Sequence, residues 1–256
     1  MLANDRYNKI LEVLETEGSI KTSKIVTLLG VSLETARRDL DFLEKQGSLQ
    51  KVHGGAISKN KEETTPTYSL RETKHKEEKK EIAELALNYI NEGETIALNS
   101  STTNIEIARL IKNRYTSLTV VTNSLRIADE LADIKGINLI LAGGIYNKNE
   151  YAFLGEITEK FLGNFLVDKS FVSVGGISLK RGITDFIMDE ILVERKMIEI
   201  GEEVIILADS SKIDTNSLIK ICETKDVDFI ITDSKLDEKI KEKYTEEGIK
   251  VINKLS

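Results

Sequence analysis

The stretch VSLETARRDLDFLEKQGSLQKVHGGA, residues 31–56, decides the first part of the fold. Ser32 stands where a helix N-cap is needed, since its hydroxyl can accept from the free N–H groups of the next turn. Ala36, Leu40 and Leu43 then share one face of a helix predicted from about Leu33 to Lys45. Gly47 ends that helix. The opposite side carries Glu34, Thr35, Arg37, Arg38 and Asp41. SLQKVHGGAIS (48–58) reads as a short strand, a Gly-Gly turn at 54–55 and a return strand.

Upstream, Tyr7, Ile10, Leu11 and Leu14 follow the i, i+3, i+4, i+7 rule of a helix that Gly18 ends. Ile25, Leu28 and Leu29 mark a second, short helix cut by Gly30, a residue that tolerates positive φ. Helix, short helix, tight turn, helix and hairpin is the order of a winged helix-turn-helix. Guanidinium forks bind phosphate or guanine edges bidentately, which suits Arg37 and Arg38 to a DNA-reading face. Thr35, near the helix start, is placed for a phosphate or a thymine methyl. Lys51 and His53 on the hairpin are placed for neighbouring phosphates or the minor groove. The plainer alternative is a small three-helix cap with a solvated charged face.

The chain has 256 residues, 40% of them hydrophobic and 31% charged, enough for a sizeable core in one large or two unequal domains. One cysteine, Cys222, excludes an internal disulfide, and two histidines exclude a Cys/His zinc cluster. No apolar run approaches the roughly 18–20 residues that span a bilayer. The start, MLANDRYNKI, lacks the apolar stretch of a signal peptide. A soluble, cytoplasmic protein without metal or cofactor is expected. The net charge of -7 argues against bulk nucleic-acid affinity. Residues 1–60, however, hold nine Lys/Arg against eight Asp/Glu, a net of +1, which leaves 27 against 35, a net of -8, for residues 61–256.

SKNKEETTPTYSL (58–70) is polar, aperiodic and holds the only proline, Pro66, so it reads as a linker. The expected division is 1–57 for DNA binding, 58–72 for the linker and 73–256 for a second domain. That domain alternates apolar strands (94–98, 118–122, 137–142, 169–174, 203–208, 228–232) with amphipathic helices. The alternation predicts an α/β fold with a mainly parallel sheet covered by helices on both faces. Ligands of such sheets bind beyond the carboxyl ends of the strands. Five strand ends carry small, hydroxyl, amide or cationic groups. They are Ser100, Ser101, Thr102 and Thr103; Thr122, Asn123 and Ser124; Gly143 and Gly144; Gly175 and Gly176; and ADSSK, ending in Lys212. A phosphorylated small polar ligand needs such N–H groups, hydroxyls and one point charge. Taken singly, each is also what a helix cap or a turn requires.

The 31–56 stretch resembles the signature of DeoR-type bacterial repressors. Ser32, Thr35, Arg37, Arg38, Asp39, Leu40, Leu43, Glu44, Gly47, His53, Gly54, Gly55 and Ala56 carry the match. The resemblance implies transcriptional repression, with the third helix in the major groove and Ser32, Thr35, Arg37, Arg38, Lys51 and His53 at the DNA. It extends to the DeoR-type sensor domain through Thr102, Thr103, VVTNS (120–124), Gly143-Gly144, RGITD (181–185), Arg195 and Lys212. That likeness implies a ribose-5-phosphate isomerase-like fold and a phosphorylated sugar or related metabolite as effector, held in part by Arg195, relieving repression of carbohydrate genes. The chain departs from the family's strand-end Asp-x-Gly-Thr-Thr with Asn99-Ser100-Ser101-Thr102-Thr103. It also departs from Ala-Asp-Gly-Ile with Val174-Gly175-Gly176-Ile177, and from a Lys-Arg pair with Glu194-Arg195.

An isomerase-like enzyme is the alternative. It needs a carboxylate base beside its phosphate loop, and 174–176 lacks one. Asp185 and Glu190 remain as acids, with Glu190 expected to be a solvated or paired surface group. Catalysis is therefore not expected. One winged helix is too small for tight specific binding, so double-stranded operator DNA is expected to meet a dimer or tetramer.

Overall fold

The computed structural model describes residues 3–17, 19–46, 48–52, 54–58, 68–112 and 114–254. His53, Gly18, Gly47 and the linker stretch 59–67 with Pro66 lie outside the described residues. The chain divides into two compact units, Met1–Arg71 and Glu72–Ser256.

The first unit runs α1 (Ala3–Glu17), β1 (Ser19–Lys21), α2 (Thr22–Leu29), α3 (Leu33–Lys45), β2 (Leu49–Val52) and β3 (Gly55–Ser58). Its core is Ile10, Leu14, Ile20, Ile25, Leu29, Ala36, Leu40, Leu43, Leu49 and Ala56. Seven of those are apolar positions that the helical periodicity selects, and Ile20, Leu49 and Ala56 are added from the strands. Leu28, grouped with them in the sequence, faces solvent instead. Gly30 has φ 62° and closes α2 by donating to Val26 O. The strands form an antiparallel sheet of order β1-β3-β2, so the hairpin gains a third strand. Gly55 is the first residue of β3 and not a turn residue. It pairs with Lys21, and a Cβ there would stand 2.1 Å from Ile20 O.

α4 (Tyr68–Thr73) replaces the end of the expected linker and buries Tyr68. It crosses the division between the units. The second unit continues with α5 (Lys76–Ala86), a 3₁₀ turn at Leu87–Tyr89, β4 (Thr95–Leu98), α6 (Asn104–Ile111), β5 (Leu118–Thr122), α7 (Leu125–Leu131) and β6 (Ile137–Leu141). β7 (Ile145–Asn147) and β8 (Ala152–Leu154) form a hairpin, followed by α8 (Glu156–Leu162) and β9 (Val167–Ser173). Then come β10 (Gly176–Ser178), β11 (Gly182–Asp185), α9 (Met188–Ile200), β12 (Gly201–Leu207), β13 (Ile219–Cys222), β14 (Phe229–Ile231), α10 (Glu238–Glu246) and β15 (Lys250–Ile252).

Seven strands make one sheet of order β15-β14-β12-β9-β4-β5-β6, and every pairing in it is parallel. Alternate residues of each strand enter opposite cores, as the pleat requires. Ile96, Leu98, Phe171, Ile205 and Leu207 pack with apolar residues of α5, α6 and α7. Ala97, Val172 and Ile206 pack with Leu162 of α8, the α9 residues Ile191, Val193 and Met197, and Tyr244 of α10. The expected parallel sheet with helices on both faces is the one observed. A smaller sheet of order β10-β11-β13 joins the second core through Ile177, Ile183 and Ile221. No helix among the described residues is long and apolar enough to cross a membrane.

Candidate functional sites

The exposed face of α3 is built by its own cap and its own periodicity. Ser32 Oγ accepts from Thr35 N at 3.1 Å and shares a 2.9 Å hydrogen bond with Thr35 Oγ1. That fixes where the helix begins and which side its first turn offers. Ser32, Glu34, Thr35, Arg37, Arg38 and Asp41 line one concave surface. Arg37 and Arg38 are exposed, and among the described residues neither has an ion-pair or hydrogen-bond partner. Two free guanidinium groups one residue apart present a broad cationic surface. Lys51 lies beside them on β2, but its ammonium is paired with Asp41. Its backbone N–H donates to Glu44 Oε1 at 2.7 Å, which ties the hairpin to α3. Five of the six expected DNA contacts, Ser32, Thr35, Arg37, Arg38 and Lys51, thus belong to one unit. The sixth, His53, is outside the described residues.

In the second unit the carboxyl ends of β4, β5 and β9 share a dense polar network. Asn99 Nδ2 donates to Ser173 O at 2.9 Å and Asn99 Oδ1 accepts from Ser173 N at 2.9 Å, which locks β4 to β9. Asn104 Nδ2 donates to Asn99 Oδ1 at 2.7 Å. Asn123 Oδ1 accepts from Ser100 N at 2.8 Å, and Ser100 Oγ donates to Glu150 O at 3.1 Å. Thr122 Oγ1 donates to Leu98 O at 2.7 Å. Ser101 Oγ accepts from Asn104 N at 2.9 Å, and Ser124 caps α7 by accepting from Ile127 N at 3.4 Å. Much of the hydroxyl and amide chemistry noted in the sequence is therefore committed to the scaffold. The backbone N–H groups of Ser101, Thr102 and Thr103 are the exception. Ahead of α6 they have no acceptor among the described residues, the arrangement that suits an anion.

The other expected contacts divide. Lys212 follows β12, and its Nζ donates to Val174 O at 2.8 Å, so its charge sits at the strand ends. Gly143 and Gly144 are exposed, and Gly143 O accepts from Thr158 Oγ1 at 3.1 Å. Arg195 goes elsewhere: its Nε donates to Ile221 O at 3.0 Å and its Nη2 to Lys220 O at 2.5 Å, on the small sheet.

The acids are where the sequence reading misplaced a feature. Glu190 is not a surface group. It is 8% exposed, and together with Glu194 at 2% it lines a small gap beside Asn99, Ser100 and Asn123. Asp185, at 4%, ends β11 and joins them. Ligand oxygens of Asp185, Glu190 and Glu194 all lie within 4.8 Å of one another. A Cβ at Gly175 would stand 3.0 Å from Asp185 Oδ1, so the loop that lacks its own acid leaves room for one from β11. Burial pushes the Glu194 carboxyl well above its ordinary value, and the charges of Asp185 and Glu190 add to this. The signal for Glu190 and Glu194 was their i, i+4 spacing on one helix face, a spacing equally common on solvated helices.

Comparison with known proteins follows this division. Residues 6–62 match the family model of the DeoR-like helix-turn-helix domain, and residues 74–234 that of the DeoR C terminal sensor domain. A Bacillus subtilis protein named as an uncharacterized HTH-type transcriptional regulator, YulB, is 37% identical over 93% of this chain and 91% of its own. The HTH-type transcriptional repressor GlcR of Bacillus subtilis is 37% identical over 91% and 89%. The glycerol-3-phosphate regulon repressor of Escherichia coli is 30% identical over 91% and 92%. Among solved structures, ribose 5-phosphate isomerase A from Methanocaldococcus jannaschii matches at TM-score 0.37 and 16% identity, over 53% of each chain.

Proposed function

Because this chain belongs to the DeoR family of transcriptional regulators, we propose that it is a cytoplasmic, sequence-specific repressor of carbohydrate-metabolism genes, released from its operator by a phosphorylated sugar or related metabolite. α3 enters the major groove with Arg37 and Arg38 at base edges or phosphates, while Ser32 and Thr35 set its first turn. Lys51, and His53 on the hairpin, face neighbouring phosphates. A homo-oligomer supplies two half-sites about 10–10.5 base pairs apart, or a multiple of that.

The observation that carries the effector half is the row of unpartnered N–H groups at Ser101, Thr102 and Thr103. They take the phosphate, with Lys212 as the point charge. Ser100, Thr122, Asn123, Ser124 and the glycines at 143–144 and 175–176 shape the surrounding strand ends, while Arg195 braces α9 against β13. That E. coli relative's name includes a phosphorylated polyol, which agrees in chemistry. The gap beside Glu190 and Glu194 leaves no room even for a water-sized molecule, against the roughly 300 Å³ at which small-molecule pockets begin. Effector binding therefore requires the strand-end loops to open, and that movement is what distinguishes the DNA-competent arrangement from the released one. Coupling of about 1–3 kcal/mol changes operator affinity 5–150-fold.

The buried acids favour one second reading, an isomerase-like activity, because moving a proton between adjacent carbons needs a carboxylate. One experiment separates the two. Full-length protein is screened against sugar phosphates by thermal shift, and hits are added to the protein on fluorescent operator DNA. Stabilisation accompanied by DNA release supports the repressor. Turnover of ribose 5-phosphate at enzyme-like rates, or hits that never alter DNA affinity, overturns it.

A further inference from the structure

Asp185, Glu190 and Glu194 bring three carboxyl groups together in one buried cluster. All three are buried, and burying an ionised carboxylate is costly unless it is paired or coordinates a metal. One lysine, Lys212, acts on Glu194 from outside the cluster, and its ammonium already donates to Val174 O.

The geometry converges. Glu190 and Glu194 are four residues apart on α9, so both project from one face. Asp185 approaches from the end of β11. Their ligand oxygens lie within 4.8 Å of one another. Oxygen ligands of one hard cation at about 2.0–2.6 Å stand no more than about 5 Å apart, the distance across the ion. A second observation is independent of that spacing: Glu194 Oε2 is fully buried with no hydrogen-bond partner. Glu194 also lines the small space shared with Ser100 and Asn123. That space suits an ion better than a sugar.

We propose that Asp185, Glu190 and Glu194 form a binding site for a hard divalent cation at the edge of the strand-end cavity. The ligands are all carboxylate oxygens, with neither imidazole nor thiolate, which selects Mg²⁺, Mn²⁺ or Ca²⁺ over Zn²⁺ or Cu²⁺. The cation ties β11 to α9. Its open side faces Ser100 and Asn123. The site stands apart from the effector reading, since it needs no sugar phosphate to fill.

The test uses full-length protein stripped with EDTA and titrated with MnCl₂, MgCl₂ and CaCl₂ at constant ionic strength, without any sugar phosphate. Expected are saturable binding of one ion per chain by calorimetry and a rise in the melting temperature of the second unit. Mn²⁺ paramagnetic resonance should show the same stoichiometry. Glu194→Gln and Glu190→Gln should each weaken affinity at least tenfold. Wild-type protein that binds none of the three ions saturably at millimolar concentration overturns the proposal, and that measurement depends on no variant. Unchanged affinity in both folded Gln variants also overturns it, because the ion would then sit elsewhere.

Discussion

Arg6 on α1 grips Asp39 on α3 with two parallel hydrogen bonds, Nε to Oδ2 at 2.7 Å and Nη2 to Oδ1 at 2.9 Å. Asp39 is 1% exposed. Three consecutive residues, Arg37, Arg38 and Asp39, therefore do opposite things. The two cations face solvent, and the acid turns inward to fix the angle between the first and third helices. Asp39→Ala should lower the melting temperature of the first unit by more than about 4 °C and abolish operator binding by unfolding, with the second unit's transition unmoved. Two resolved transitions in scanning calorimetry check this. An unchanged first transition would remove the structural role assigned to Asp39.

Arg38→Ala is the contrasting change. The side chain is exposed and has no partner among the described residues, so its loss should leave thermal stability alone. Operator affinity should fall by about 1–3 kcal/mol if it reads a base bidentately, or roughly 5- to 150-fold. Fluorescence anisotropy at fixed salt reads the difference, and wild-type affinity would exclude Arg38 from the contact.

A phosphate contact by Lys51 would require it to give up Asp41. The pair cancels one positive charge beside the exposed face of α3. Asp41→Asn should therefore strengthen binding to random-sequence DNA at low salt. The log affinity–log salt slope should steepen by about 0.9, the contribution of one extra phosphate contact. If the slope is unchanged, Lys51 does not contact phosphate.

Lys212→Ala should spare operator binding in the absence of effector and weaken the effector. A charge-assisted hydrogen bond is worth about 1.5–3 kcal/mol, which is roughly 10- to 150-fold in affinity. Calorimetry with whichever sugar phosphate emerges from the screen decides it, and equal affinities would move the phosphate away from Lys212.

Glu130 supplies a pH signature. Lys112 donates to its carboxylate and Arg109 Nε lies 3.3 Å away, and these cations hold its carboxyl below the ordinary value. A carboxyl with a depressed folded value contributes stability that is present above its unfolded value of about 4.5 and lost as pH falls through the folded one. Glu130→Gln should therefore destabilise the protein at pH 7 but little at pH 3, which flattens the acid limb of a melting-temperature profile. A parallel downward shift at every pH would count against the charge pairing.

How far these features can be read from sequence depends on what each one is made of. α3 spans Leu33–Lys45 as predicted, because a hydroxyl cap and an apolar stripe are local and mutually consistent. The six strands inferred from apolar runs all appear in the central sheet. β1 escaped notice because three residues with one apolar side chain show no period. β7 escaped because Ile145 and Tyr146 are exposed, so the strand lacks a buried face. The acid cluster was legible only in part: Asp185 and Glu190 stood out as acids, but Glu194 and the meeting of the three did not, because the chain around Gly175 has no acid and β11 supplies one from ten residues further along.

The amino-acid sequence by itself determined the two-part plan, the cationic third helix and the strand ends of a parallel sheet. Periodicity, caps and charge are properties of contiguous residues, and they report burial along a segment. They do not report which segments meet. Only the tertiary structure decided that Asp39 faces Arg6, that Asp41 neutralises Lys51, and that Asp185, Glu190 and Glu194 converge beside Ser100 and Asn123. Those are meetings between residues on different elements, set by how the elements pack.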